Sequence, residues 1–167
     1  MIRLVDTNVL HVANDGTGET YGPACVLACT RLLRDIQSCG VLALDDRFEI
    51  LREYRQNASE AGQPGVGDAF LKWALSNEYT DGRCTRVAIT PHRRRGWEEY
   101  PDAADVAGFD PSDRKFVAVA LAHPARPPIH NATDSDWREH DEALTGHGVT
   151  VVYECPDHVP PPGHGLR

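Results

Sequence analysis

"RLVDTNVLHVAND", residues 3–15, runs a short strand-forming segment straight into an acid. Asp6 falls where a first strand over residues 2–5 ends, and Thr7 and Asn8 follow it directly. Two readings fit that placement. Asp, Thr and Asn satisfy free backbone N–H groups at a turn or helix start, so Asp6 can be a cap. An acid at the carboxyl end of a parallel strand can also be a metal ligand, because open α/β sheets bind their ligands at that edge. The choice depends on whether further acids reach the same point.

Downstream, short apolar runs alternate with helical patterns. "GPACVLACTRLLRDIQSCG" (22–40) has Pro23 at a first turn, Gly40 as a stop, and Val26, Cys29, Leu33 and Ile36 at helical spacing. "VLAL" (41–44) is a second strand, and Asp45 and Asp46 precede a helix within "RFEILREYRQNAS". Residues 66–77 predict a third helix, 85–91 a strand or extended segment, and the polar, basic 92–102 a loop. "DPSDRKFVAVALAH" (110–123) predicts a helix stopped by Pro124, and 128–132, 136–148 and 149–154 predict strand, helix, strand. This alternation implies an α/β protein, a three-layer α/β/α fold with a mostly parallel central sheet of about four or five strands. The organisation expected is a single domain over 1–155 with an insertion at about 61–108. A Pro/Gly-rich tail, 156–167, is expected to be loosely held.

With 167 residues and 41% hydrophobic content, one domain has room for a proper core. The N-terminus lacks the basic flank and apolar segment of a signal peptide, and no apolar run approaches the ~20 residues of a membrane span. A cytoplasmic protein without membrane contact is therefore expected. The five cysteines are odd in number and scattered without a CxxC pair, which predicts buried small residues rather than a disulfide framework. Cys25 and Cys29, four apart on a helix, have the spacing of a chelating pair as the alternative. A net charge of −8 argues against a protein that coats DNA without regard to sequence. It is compatible with an enzyme that handles nucleic acid through cations bound to clustered acids.

Three more elements carry candidate acids. Phe116, Val117, Ala120 and Leu121 lie three, four, seven and eight residues beyond Asp113, so Asp113 is in line with a buried stripe while Arg114 and Lys115 point elsewhere. Capping competes here too, with Asp110 as the cap, Pro111 as the first helical residue and Asp113 as a first-turn acid. On the preceding helix Glu53 sits nearer than Glu49 to the face made by Ile50, Leu51 and Tyr54. Asp134 and Asp136 follow the strand 128–132, and Asp134 stands just outside its end, as Asp6 does outside the first. Asp6, Glu53, Asp113 and Asp134 thus come from four elements that can converge on one sheet edge. Hard oxygen ligands of this kind select Mg2+ or Mn2+.

With these residues the chain resembles the PIN-domain nucleases, whose order is strand–Asp–Thr/Ser–Asn, helical Glu, helical Asp, then strand–Thr–x–Asp. "VDTNVL" matches the first motif, "EILREYR" the second through Glu53, "DPSDRKFVAVALAH" the third through Asp113 and "NATDSDW" the fourth through Asp134. Ala132 stands where the family often has Thr, and 61–108 is longer than in the small toxin-type members. The resemblance implies metal-dependent phosphodiester hydrolysis, most often of RNA. Asp6, Glu53, Asp113 and Asp134 would be catalytic, with Asp6, Asp113 and Asp134 holding Mg2+ or Mn2+, Asp136 auxiliary, and Thr7 and Asn8 supporting. Partners of that class are RNA, a second copy of the chain in a homodimer, or a regulator such as an antitoxin.

Two other functions use strand-end acids. A haloacid-dehalogenase-type phosphatase wants a second Asp two residues after the first, where this chain has Asn8. A receiver domain needs a partner Lys that has no obvious counterpart. The non-enzymatic alternative is a PIN-like module that binds RNA or protein without cutting it. "PHRRRGWEEY" (91–100) holds the densest basic run, and Arg93, Arg94, Arg95 and Trp97 form the candidate substrate surface. Arginine forks pair with phosphates and indoles stack on unpaired bases. The competing reading is a solvated loop whose arginines pair with Glu98 and Glu99.

Overall fold

Apolar runs too short for helices and too continuous for a half-wet strand are the mark of a sheet covered on both faces. In the computed structural model, which describes residues 1–160, these runs form that sheet. The chain lays down β1 (Ile2–Val5), α1 (Thr7–Ala13), α2 (Pro23–Cys39), β2 (Val41–Asp45), α3 (Glu49–Asn57), α4 (Val66–Asn77) and β3 (Cys84–Val87). A small hairpin of β4 (Pro91–His92) and β5 (Gly96–Trp97) follows, then a 3₁₀ turn at Ala104–Val106. The chain continues with α5 (Arg114–Ala122), β6 (Ile129–Asn131), α6 (Ser135–Glu139), α7 (Asp141–Gly146) and β7 (Val151–Tyr153).

Five strands pair in parallel in the order β3-β2-β1-β6-β7, with helices on both sides, a three-layer α/β/α fold. Leu4, Val5, Leu42, Ala43, Leu44 and Ile129 are buried in its middle. After β1 the chain builds to one side through β2 and β3, then returns to place β6 and β7 on the other. Connections leaving β1 and β6 therefore diverge, and a crevice opens at their carboxyl ends. Register fixes its floor: Val5 pairs with His130, and the Asp6 amide donates to the His130 carbonyl at 2.9 Å.

Several elements differ from the sequence expectation. A seven-residue helix, α1, starts at once after Asp6. The helix expected from 110 begins only at Arg114, because the Asp110 carboxylate accepts from the Ser112 amide and hydroxyl and holds 111–113 in a turn. The helix expected over 136–148 is two short ones broken at His140. Within 61–108, α4 packs on α1 and α2 and β3 is the sheet's edge strand, while 91–106 stands outside the sheet as hairpin and 3₁₀ turn.

The cysteine expectation holds for burial, with Cys25, Cys29, Cys84 and Cys155 buried, but not for pairing. Cys25 and Cys155, 130 residues apart, form a disulfide that ties the first turn of α2 to the chain leaving β7. No local spacing announces such a pair, since only the packing of α2 beside the end of β7 brings the two together. The start of the tail is also held: Val159 is buried and its carbonyl accepts from Arg138 Nε at 2.9 Å. The remainder of that tail, 161–167, lies outside the described residues. Among the described residues no helix is long and apolar enough to cross a membrane.

Helix α1 carries the residues after Asp6 and is seated by α4. A Cβ on Gly67 would lie 2.2 Å from the Leu10 carbonyl oxygen, a backbone atom that cannot move aside cheaply. Gly67→Ala is expected to destabilise the protein by about 1–3 kcal/mol through overpacking. At this chain length each kcal/mol is about 2–4 °C of Tm, so a thermal melt measures the effect directly.

Candidate metal centre at the sheet's switch point

Asp6 is both cap and cavity group. It is the N-cap of α1, where its Oδ1 accepts from the Asn8 amide at 3.3 Å. Its Oδ2 accepts from Trp137 Nε1 at 2.5 Å, so an indole from α6 fixes the carboxylate from the far side of the crevice. Asp134 caps α6 in the same manner, accepting from the Asp136 amide at 2.9 Å. Asp113 occupies the N-cap position of α5 but makes no capping bond. Its carboxylate lines the crevice instead.

The three acids meet. One carboxylate oxygen from each of Asp6, Asp113 and Asp134 lies within 4.8 Å of the others. They border a cavity of ≈ 320 Å³ that Thr7, Glu53 and Asp110 also line. The turn that presents Asp134 is stapled to α1. Asn8 Nδ2 donates to Asn131 Oδ1 at 2.7 Å, the Ala132 amide donates to Asn8 Oδ1 at 2.8 Å, and Asn131 Nδ2 donates to the Asp134 carbonyl at 2.8 Å. Asn8 thus spends its side chain on holding the β6–α6 turn.

Glu53 faces this cavity, whereas Glu49 pairs with Arg52 on the same helix at 2.7 Å. Thr7 Oγ1 donates to Glu53 Oε1 at 2.5 Å, and Lys115 Nζ pairs with Glu53 Oε2 and also donates to the Ser112 carbonyl. The expectation that Arg114 and Lys115 point away from the buried side is incorrect. Both are buried, because α5 is covered all round from Arg114 to Ala120: Arg114 donates to the carbonyls of Phe109 and Ala107 and lies over the Tyr100 ring. Asp136 stays out of the cluster. Two residues beyond the cap it projects from another side of α6, accepting from the Asp110 amide at 2.8 Å and facing His140 Nδ1 at 3.2 Å.

Burial of like charges dominates the electrostatics. Desolvation pushes the Asp6 carboxyl up to about 7, with the charges of Asp134 and Glu53 adding, while bonds from Asn8 and Trp137 oppose the rise. Burial pushes Asp113 up to about 8, reinforced by Asp6 and Asp134 and opposed by Lys115. Among the described residues none of the three clustered acids has an ion pair, and the nearby ammonium of Lys115 is given to Glu53. Asp45 provides the contrast: also buried, as the last residue of β2, it accepts from the amides of Arg47, Glu49 and Ile50 and is a cap alone.

The basic run splits into two roles. Arg95 is consumed locally, pairing with Glu98 at 3.0 Å and Asp102 at 3.2 Å and donating to the Trp97 carbonyl. Arg93 and Arg94 are exposed at the hairpin tip. Glu99 accepts from the Thr90 amide and not from an arginine. Trp97 lines a second cavity of ≈ 270 Å³, which shares Glu53, Ser112 and no other wall residue with the acidic one.

Set beside models of known families, curated proteins and solved structures, the chain gives no match. The site therefore stands on its own geometry. Sequence reasoning missed Trp137 and Asn131, directed Lys115 away from the site, and offered Asp110 only as a helix cap. Lys115 carries one signal, a lysine two residues from a buried acid at the head of an apolar helix; Trp137 and Asn131 carry none.

The raised acids set a pH dependence. An acid whose folded value lies above its ordinary 3.8 binds its proton more tightly in the folded chain, so its contribution is full below 3.8 and is lost as pH rises through about 7 and 8. Protein in chelator is expected to lose Tm from about pH 5 to about pH 8. A divalent cation that binds only the folded state should recover it at the upper end. A series of thermal melts with chelator and with Mn2+ measures both, and a flat metal-independent profile would remove this account of the cluster.

Proposed function

We propose that this protein is a divalent-metal-dependent nuclease of PIN type that hydrolyses phosphodiester bonds in RNA. The observation that carries the reading is the convergence of Asp6, Asp113 and Asp134 within 4.8 Å of one another, the first two buried and the third half-buried, with no ion pair to any of them among the described residues. Three hard carboxylates, of which Asp6 and Asp113 have raised pKa values, fit a small divalent cation, because its charge offsets the repulsion of the cluster. Asp6, Asp113 and Asp134 would hold Mg2+ or Mn2+. When bound, such an ion supplies Lewis acidity at a phosphate and lowers the pKa of water.

The chain's own groups orient the site. Trp137 fixes Asp6, and the Asn8–Asn131 staple sets the height of Asp134. Thr7 and Lys115 hold Glu53 at the cavity wall, where it borders the path to Trp97. Arg93 and Arg94 offer cationic contacts to a polyanion, and Trp97 offers a face for an unpaired base. The occupied amide of Asn8 argues against the phosphatase reading, which needs an acid/base there. The pairing of Glu53 with Lys115 favours, as the second reading, a binding module that retains the cluster without turnover.

Cleavage assays on single-stranded RNA, duplex RNA and DNA with Mn2+, Mg2+ or chelator decide between them. Asp6→Asn and Asp113→Asn are each expected to lower cleavage by more than about a hundredfold while the circular dichroism spectrum is kept, since both remove ligand charge and keep shape. Parent-like cleavage by both variants would reject the shared-metal site. RNA binding with no cleavage by the parent would select the binding module.

The hairpin generates its own expectation. Replacing Arg93 and Arg94 by Gln should weaken single-stranded RNA binding and reduce the slope of log K against log salt by roughly one to two units. Titrations at several salt concentrations read that slope. Melting behaviour should not change, because neither side chain holds the fold.

A further inference from the structure

Three of the five cysteines meet away from the acidic cavity. Cys25, in the first turn of α2, is bonded to Cys155 just beyond β7. Cys29 lies one turn further along the same face of α2, with its Sγ 4.0 Å from that of Cys155. A fixed cross-link needs two cysteines. A third sulfur in contact with one of the pair is the arrangement from which a thiol attacks a disulfide.

Access to the three sulfurs is unequal. Cys25 and Cys155 line a cavity of ≈ 290 Å³ that Tyr21, Glu154 and His158 also border, whereas Cys29 is fully buried behind them. We propose that Cys25, Cys29 and Cys155 form a thiol–disulfide exchange centre, opened from this cavity by a low-molecular-weight thiol, with Cys29 as the internal resolving sulfur.

The chemistry balances without an oxidant. A small thiolate attacks Cys155 Sγ, the Cys25–Cys155 bond breaks, and Cys25 leaves with the electron pair and takes the proton given up by the small thiol. Free N–H groups at the start of α2 stabilise that leaving thiolate. Cys29 then gives up its proton and attacks Cys155 in the mixed disulfide, and the small thiolate departs and is reprotonated. The net change moves the bond from Cys25–Cys155 to Cys29–Cys155 and leaves Cys25 as a thiol facing the cavity. Burial, and then the charge of Glu154, pushes the Cys29 thiol up to about 12. Resolution is therefore the slow step at neutral pH, and the mixed disulfide accumulates before it.

The consequence reaches the acidic site's rim. Cys155 leads into a strap in which His158 Nε2 donates to the Tyr21 carbonyl at 2.7 Å, and Tyr21 borders both cavities. The exchange itself does not depend on the nuclease reading.

The test incubates the full folded chain in glutathione redox buffers, quenches by acid and alkylation, and maps the sulfurs by mass spectrometry. The expected result is glutathione on Cys155 together with Cys29–Cys155 peptides and alkylated Cys25. Cys29→Ala should abolish the Cys29–Cys155 peptide and leave glutathione on Cys155 as the end point, because its resolving sulfur is gone. A Cys25–Cys155 bond that opens only when the chain unfolds would overturn the proposal. Three free thiols holding zinc in the purified protein would overturn it too, in favour of a thiolate metal site. Should Cys29→Ala fail to fold, the parent map decides alone, and absence of any Cys29–Cys155 peptide rejects the centre.

Discussion

Burial of Asp6 at the end of the central strand is the constraint around which the rest is arranged. A carboxylate taken out of water is costly unless it is bonded or met by positive charge. Here its amide is tied to β6 through the His130 carbonyl, and its oxygens are tied to Asn8 and Trp137. Those partners come from the central strand's neighbour, the following helix and the α6 turn. The same contacts that hold Asp6 in place therefore hold the switch point together.

Around that centre the polar groups divide into those that are satisfied and those that are not. The Asn8–Asn131 staple and the Thr7–Glu53–Lys115 chain close their own hydrogen bonds. Asp113 does not: it forgoes the cap it is positioned to make and shares the crevice with two other acids. Removing one partner from a buried network generally costs more than the network contributes, so the satisfied groups act mainly as positioning devices. The uncompensated charge concentrated among Asp6, Asp113 and Asp134 is where a cation has most to gain.

Two features beside the sheet bear on access to that crevice. The β4–β5 hairpin keeps Arg95 for its own structure and exposes Arg93 and Arg94 at its tip, while its Trp97 lines a cavity that shares Glu53 and Ser112 with the acidic one. On the other side, the Cys25–Cys155 bond and the strap to His158 stand against Tyr21. One flank is governed by charge and the other by sulfur.

The layered fold was legible from the chain because its cues are local: apolar runs, helical spacing, Pro23, Gly40 and Pro124 all act within a few residues. The placement of Asp6 and Asp134 after strands was legible for the same reason, and so was the preference for Glu53 over Glu49 on one helix face. Other features depended on partners distant in sequence. Trp137 reaches Asp6 across 131 positions, Lys115 reaches Glu53 across 62, and Cys25 joins Cys155 across 130. The burial of α5 from Arg114 to Ala120, which turned Arg114 and Lys115 inward, likewise arises from what packs around it. Periodicity fixes which residues share a face of an element. Which face meets which, and hence which charges and sulfurs are brought together, is decided only when the elements pack.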